Sequence, residues 1–203
     1  MSPRGIRPGR AAAVVLFLAL AGCGSGQPGP ARGHWADQAV SAGFGWFHPG
    51  PAPGTWRRAS LAGQRATLSY PGSLRPMRGD PGTVTVGSTS RSGAVLVYLN
   101  VTPRQGDETL RDWPSFRVDH LRGEGQTGVR VDGVSPWLDF RGGRGRCVED
   151  NYTTKIHGNH YREIACYVQG AHAASVLVAA APAAAGQATA ALLEKVVSSY
   201  QAR

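Results

Sequence analysis

Between Cys147 and Ala180 the chain carries three strand candidates separated by two tight-turn signals, and no other stretch limits the fold as much. The runs are Cys147 to Thr154, Tyr161 to Gln169 and Ala173 to Ala180, with His157-Gly158-Asn159 and Gly170-Ala171 between them. Runs joined this closely pair as an antiparallel meander, because a parallel return would need a long crossover. If the first hairpin turns on Lys155-Ile156-His157-Gly158, residue i faces residue 313 − i across the ladder. Position 147 then faces position 166, and both are cysteines. Opposed Cβ atoms about 4.5–5.5 Å apart are within reach of a disulfide. Closing a loop of about 20 residues would contribute roughly 3 kcal/mol by the chain-entropy account.

The rest of the domain reads as further strands and two helices. Arg65 to Tyr70 is β-compatible and ends at the turn signal Pro71-Gly72. Thr83 to Val86 alternates, and Ala94 to Val101 is nearly continuously apolar, as a strand buried on both faces would be. Asp107 is placed to cap a helix whose Leu110, Trp113, Val118 and Leu121 suit one buried side. Pro114 inside that stretch predicts a kink or two short pieces, and Gly123-Glu124-Gly125 ends it. Pro182 is expected near the start of a second helix, whose Leu192, Leu193, Val196, Val197 and Tyr200 form a stripe suited to cover a sheet. Over 127–141, Gly133 and Pro136, with Gly142-Gly143 just beyond, interrupt any regular strand.

Ahead of this domain the chain changes character. Arg4, Arg7 and Arg10 precede an uncharged run, Ala11 to Ala21. At about 1.5 Å per residue, eleven residues reach only half of the roughly 30 Å a membrane-spanning helix needs. This is the pattern of a signal peptide. Its last residues, Leu20-Ala21-Gly22-Cys23, resemble the lipobox of bacterial lipoproteins. The resemblance implies cleavage after residue 22 and lipid on the Cys23 thiol, which together anchor the chain to the extracytoplasmic face of a cell membrane. Outside the cytoplasm the remaining pair, Cys147 and Cys166, is expected to be oxidised.

Gly24-Ser25-Gly26-Gln27-Pro28-Gly29-Pro30 then reads as a flexible spacer. Phe44, Trp46 and Phe47 are followed by a Pro/Gly-rich stretch to Gly54, so residues 31–54 are expected to be irregular. Those aromatics either pack on the domain or lie at the membrane interface. The domain plan is therefore a signal peptide (1–22), a lipid-anchored tether (23–55) and one domain (56–203).

A search for chemistry finds little. There is no Gly-x-Ser-x-Gly elbow, and the cysteines are committed elsewhere. His157 and His160 form an H-x-x-H in an expected turn without further ligands at metal spacing. Asp112, Asp119 and His120 belong to the solvated side of the first helix. Glu149 and Asp150, with Arg162 and Glu163, fall on paired strands, where cross-strand ion pairs are expected to contribute a fraction of a kcal/mol. The run Arg141-Gly-Gly-Arg-Gly-Arg146 is arginine-rich, but an exported chain gives it no nucleic acid to meet. Loss of residues 1–22 leaves 19 basic against 13 acidic side chains, net +6 and unclustered, which suits anionic headgroups or wall polymers. No cofactor, metal or catalytic residue is expected.

The element order resembles a known domain: an early strand ending at Tyr70-Pro71, a strand pair, a helix after Val101-Thr102-Pro103, a meander, and a closing helix ending Val-Val-Ser-Ser-Tyr. It is similar to the PsbP-like α/β/α sandwich, also found in LpqN-type lipoproteins of actinobacteria. That resemblance implies an α+β domain, a mostly antiparallel sheet with helices on both sides, and a binding or assembly role without catalysis. The partner would be an envelope lipid, a polymer or a protein. The alternative is a cell-envelope hydrolase centred on Asp119 and His120.

Overall fold

Eleven strands, two α-helices and two short 3-10 turns are formed by residues 42–203, the part of the chain that the computed structural model describes. The expected signal peptide, Cys23 and the spacer behind it lie outside the described residues. In chain order the elements begin with β1 (Arg57–Ser60), β2 (Ala66–Tyr70), β3 (Arg75–Pro76), β4 (Val84–Thr89) and β5 (Val95–Pro103). After α1 (Trp113–Gly123) come β6 (Thr127–Val134), β7 (Leu138–Phe140), β8 (Gly143–Thr153), β9 (His160–Gly170) and β10 (Ala174–Pro182). The chain closes with α2 (Gln187–Ser198) and β11 (Gln201–Ala202).

The large sheet has the order β3-β4-β5-β10-β9-β8-β6, with β7 also paired to β8, and every pairing in it is antiparallel. Strand alternation gives it two apolar faces. On one, Leu99, Cys147, Ile164, Cys166, Leu177 and Ala179 pack with Leu193, Val196 and Val197 of α2. A small sheet, β1-β2-β11, shares this face through Leu68, Tyr70 and Ala202. On the other, Val148, Ala165, Tyr167, Val178 and Ala180 pack with Trp113 of α1. The domain is thus richer in sheet than a helix-flanked sandwich: one helix serves each face, and the α2 side is completed by strands.

The meander forms with the expected register. Cys147 lies opposite Cys166, their Cα atoms 4.0 Å apart, and the two are disulfide-bonded.

Several local expectations are corrected. α1 starts at Trp113, with Asp112 rather than Asp107 at its N-cap, so Pro114 falls in the first turn and no kink arises. Pro182 ends β10, and α2 follows Gly186. Residues 127–141 do form strands: Gly133 sits at a register shift between Val131 and Gly133, where a bulge absorbs it, and Pro136 falls between β6 and β7. The arginine-rich run is the β7–β8 turn and the first rungs of β8, where Arg144 lies 5.1 Å over the Trp137 ring and the Arg146 guanidinium donates to the Arg111 carbonyl.

The domain also begins earlier than Trp56. Phe44 is buried in the α2-side core, Phe47 packs on Phe140 at 4.8 Å, and the Gly50 amide donates to the Ser198 carbonyl. Phe44, Trp46 and Phe47 therefore take the first of the two expected placements and pack on the domain, where their apolar surface leaves water.

Candidate functional site

α1 packs mainly on β6, β8 and β9, to one side of β5 and β10. Between them opens a cleft of about 650 Å³. Helical periodicity sorts the residues of α1 into two rows. Trp113, Arg117 and Leu121, spaced four apart, are buried. Phe116, His120 and Glu124 form the adjacent row along the cleft, with the Phe116 and His120 rings stacked at 6.1 Å and His120 Nε2 3.3 Å from the Glu124 carboxylate. Tyr98 and Asn100 of β5, Tyr152 of β8 and Val176 and Val178 of β10 supply the opposite walls.

Three charged residues are buried beneath the cleft. Glu163 of β9 lines it, and Asp150 of β8 is directly opposite Glu163 in the ladder. Arg117 reaches down from α1 and makes two contacts to one oxygen of Glu163: Nε donates to Oε1 at 2.7 Å, and Nη2 lies 2.5 Å from the same atom. The other oxygen, Glu163 Oε2, and both oxygens of Asp150 are buried without a hydrogen-bond partner among the described residues. Two carboxylates thus share one guanidinium. Burial, with Glu163 adding to it, pushes the Asp150 carboxyl up to about 8. Burial works against the Arg117 charge, but Glu163 and Asp150 outweigh it and hold the guanidinium above its ordinary range. Burial and then Glu163 also raise the phenols of Tyr152 and Tyr98.

Sequence reasoning expected attraction across these rungs. One pair is as expected: Arg162 Nη2 lies 3.6 Å from Glu149 Oε2 on the α2 side of the sheet, where Trp46 Nε1 also donates to Glu149 at 3.0 Å. The Asp150–Glu163 rung is a correction, since it sets like charges together and recruits Arg117 from another element. Of the helix residues considered for catalysis, His120 reaches the cleft, whereas Asp119 faces solvent beside Arg122. His160 bonds to Thr153 Oγ1 at 2.9 Å, and His157 takes a positive φ in the β8–β9 turn. Among the described residues no group of three or more His, Cys, Asp or Glu side chains is arranged to hold a metal ion. The disulfide lies in the core on the face away from the cleft.

No protein-family model matches the sequence, and no curated protein does. Solved structures do match the fold. The solution structure of cyanobacterial PsbP (CyanoP) from Synechocystis sp. PCC 6803 aligns over 76% of this chain and 98% of that chain, with a TM-score of 0.55 at 12% identity. The fold is PsbP-like. The PsbP-like domain also aligns with the Ran-binding protein Mog1p of Saccharomyces cerevisiae over 72% of this chain and 95% of that one, with a TM-score of 0.50 at 13% identity. A crystal structure from Bacteroides thetaiotaomicron VPI-5482 matches 73% of this chain at 11% identity and a TM-score of 0.44, and there the chain spans only 49% of the other protein. At such identities the CyanoP and Mog1p likenesses speak to the fold alone.

Proposed function

We propose that this chain is an extracytoplasmic lipoprotein of the actinobacterial type, anchored to the cell membrane through lipid on Cys23. Its PsbP-like domain is a non-catalytic binding module for an envelope polymer. The observation that carries this reading is the cleft on the α1 face, with three buried carboxylate oxygens beneath it that have no well-formed hydrogen bond among the described residues. Leaving buried polar atoms unmatched costs stability, and such atoms are retained where something else completes them. The walls mix aromatic rings with charged and amide groups, which suits a polar polymer segment better than an acyl chain. Asp119 and His120 diverge, so the helix offers no acid–base pair at the place where a hydrolase would need one.

Two measurements test the reading. Radiolabelled palmitate should enter the full chain and not Cys23→Ala; equal labelling or none in both would overturn the anchor. Calorimetric titration with soluble envelope glycan fragments should give saturable binding that Val176→Phe, which fills the cleft, abolishes. Unchanged binding by Val176→Phe would overturn the site.

A further inference from the structure

We infer that the cleft on the α1 face seats an organic ammonium group, its cationic head against Glu163 Oε2 and within the walls of Tyr98, Phe116 and Tyr152. This deepens the binding-module reading and rests on it.

Both contacts of Arg117 go to Glu163 Oε1, so Oε2 of this almost wholly buried, cleft-lining residue has no well-formed hydrogen bond among the described residues, with the Tyr152 phenol lying beside the carboxylate. Asp150 behind it adds a second carboxylate and no cation. With both carboxylates ionised the cluster is one positive charge short, a deficit that a proton on Asp150 or a bound cation can meet. An anionic ligand would worsen that deficit, and an acyl chain would leave Oε2 stranded in an apolar contact. A hard divalent metal needs about six oxygen ligands, and no such set of carboxylates converges among the described residues. An ammonium group meets both needs, since it donates to Oε2 and is attracted to aromatic faces. The rim favours the same sign: Asp80, Glu108 and Glu124 line it against Arg78. Glu108 is already occupied by the amides of Gln105 and Gly106, at 2.9 and 2.8 Å, whereas Glu124, half-exposed beside His120, can still meet a second ligand charge. A volume of about 650 Å³ accommodates a small molecule or the tip of a polymer.

A proton and a bound ammonium answer the same charge deficit, so they compete. Asp150 is faced by Glu163 from β9, Arg117 from α1 and Asp132 from β6, with Tyr152 on its own strand. Binding of the cation should therefore strengthen as the pH rises.

Calorimetry on the full chain with spermidine and choline as probes tests this, with chitotriose as an uncharged control and magnesium chloride as the metal alone. The expected result is saturable amine binding that weakens about tenfold in Glu163→Gln. It should also weaken by up to about tenfold per pH unit on going down from pH 8. Glu124→Gln, at the half-exposed rim, should weaken spermidine about threefold and keeps the test alive if Glu163→Gln fails to fold. Amine binding that is absent, or unchanged in both variants and across pH, would overturn the inference. Magnesium binding of equal strength and equal sensitivity to Glu163→Gln would also overturn it. Chitotriose bound equally by the parent and Glu163→Gln, with no amine binding, would overturn the cation and leave the binding module standing. Amine and glycan binding both untouched by Val176→Phe would overturn the two together.

Discussion

Asp150 of β8 stands directly across the ladder from Glu163 of β9, and both carboxylates are buried with Arg117 as their shared cation. Like charges facing each other on paired strands destabilise a sheet. A buried carboxylate pair relieves that by keeping a proton on one member, here Asp150, up to about pH 8.

The stability of the domain should therefore fall as the pH rises through this window. An unfolded aspartate releases its proton near about 3.9, whereas folded Asp150 retains it to about 8. Between those values the folded chain binds one proton more, so the contribution is complete below about pH 4 and lost above about 8, with a slope of up to ~1.4 kcal/mol per pH unit. Asp150→Asn removes the titration and should be more stable than the parent by ~1–3 kcal/mol at pH 8. Urea denaturation across the range decides; a parent curve that stays flat or rises would contradict the assignment.

Reducing the Cys147–Cys166 bridge should cost roughly 3 kcal/mol, because the link closes a loop with a sequence separation of 19. Denaturation with and without dithiothreitol, alongside Cys147→Ala/Cys166→Ala, measures it. Ligand binding in the cleft should survive while the domain stays folded, since the bridge lies on the other face of the sheet.

Phe44→Ala should destabilise the domain by ~3 kcal/mol, as for any large side chain removed from a core. If residues 42–55 were tether, the same change would stay within about 0.5 kcal/mol. A thermal melt separates the two outcomes.

Gly142→Ala should be costly for two reasons. Its φ of +78° lies in the left-handed region, and a Cβ there would collide with the Ala202 carbonyl where β11 meets the β7–β8 turn. A loss of ~2–4 kcal/mol is expected by chemical denaturation, against under ~1 kcal/mol for Gly54→Ala, whose Cβ meets nothing.

Much of the meander was legible in advance, since strand alternation and turn residues act over a few positions. The relation that placed Cys147 over Cys166 also places Asp150 over Glu163, yet the second pair reads as solvated charge until the coverage of that face is known. The edge strands β6 and β7 were obscured because glycine and proline, which weaken an interior strand, are tolerated at a bulge and between edge segments. The start of α1 was misplaced because the capping preference of Asp107 is a local signal, whereas the packing of Trp113 against Ala165 and Tyr167 fixes where the helix begins.

By itself the sequence determined which residues face each other on β8 and β9, because pairing there depends only on turn position and the two-residue period of a strand. Only the tertiary structure decided that Arg117, 46 positions before Glu163, descends on that rung and leaves a cleft beside it. Where α1 crosses the sheet is set by side-chain packing between distant elements, and no local pattern carries that information.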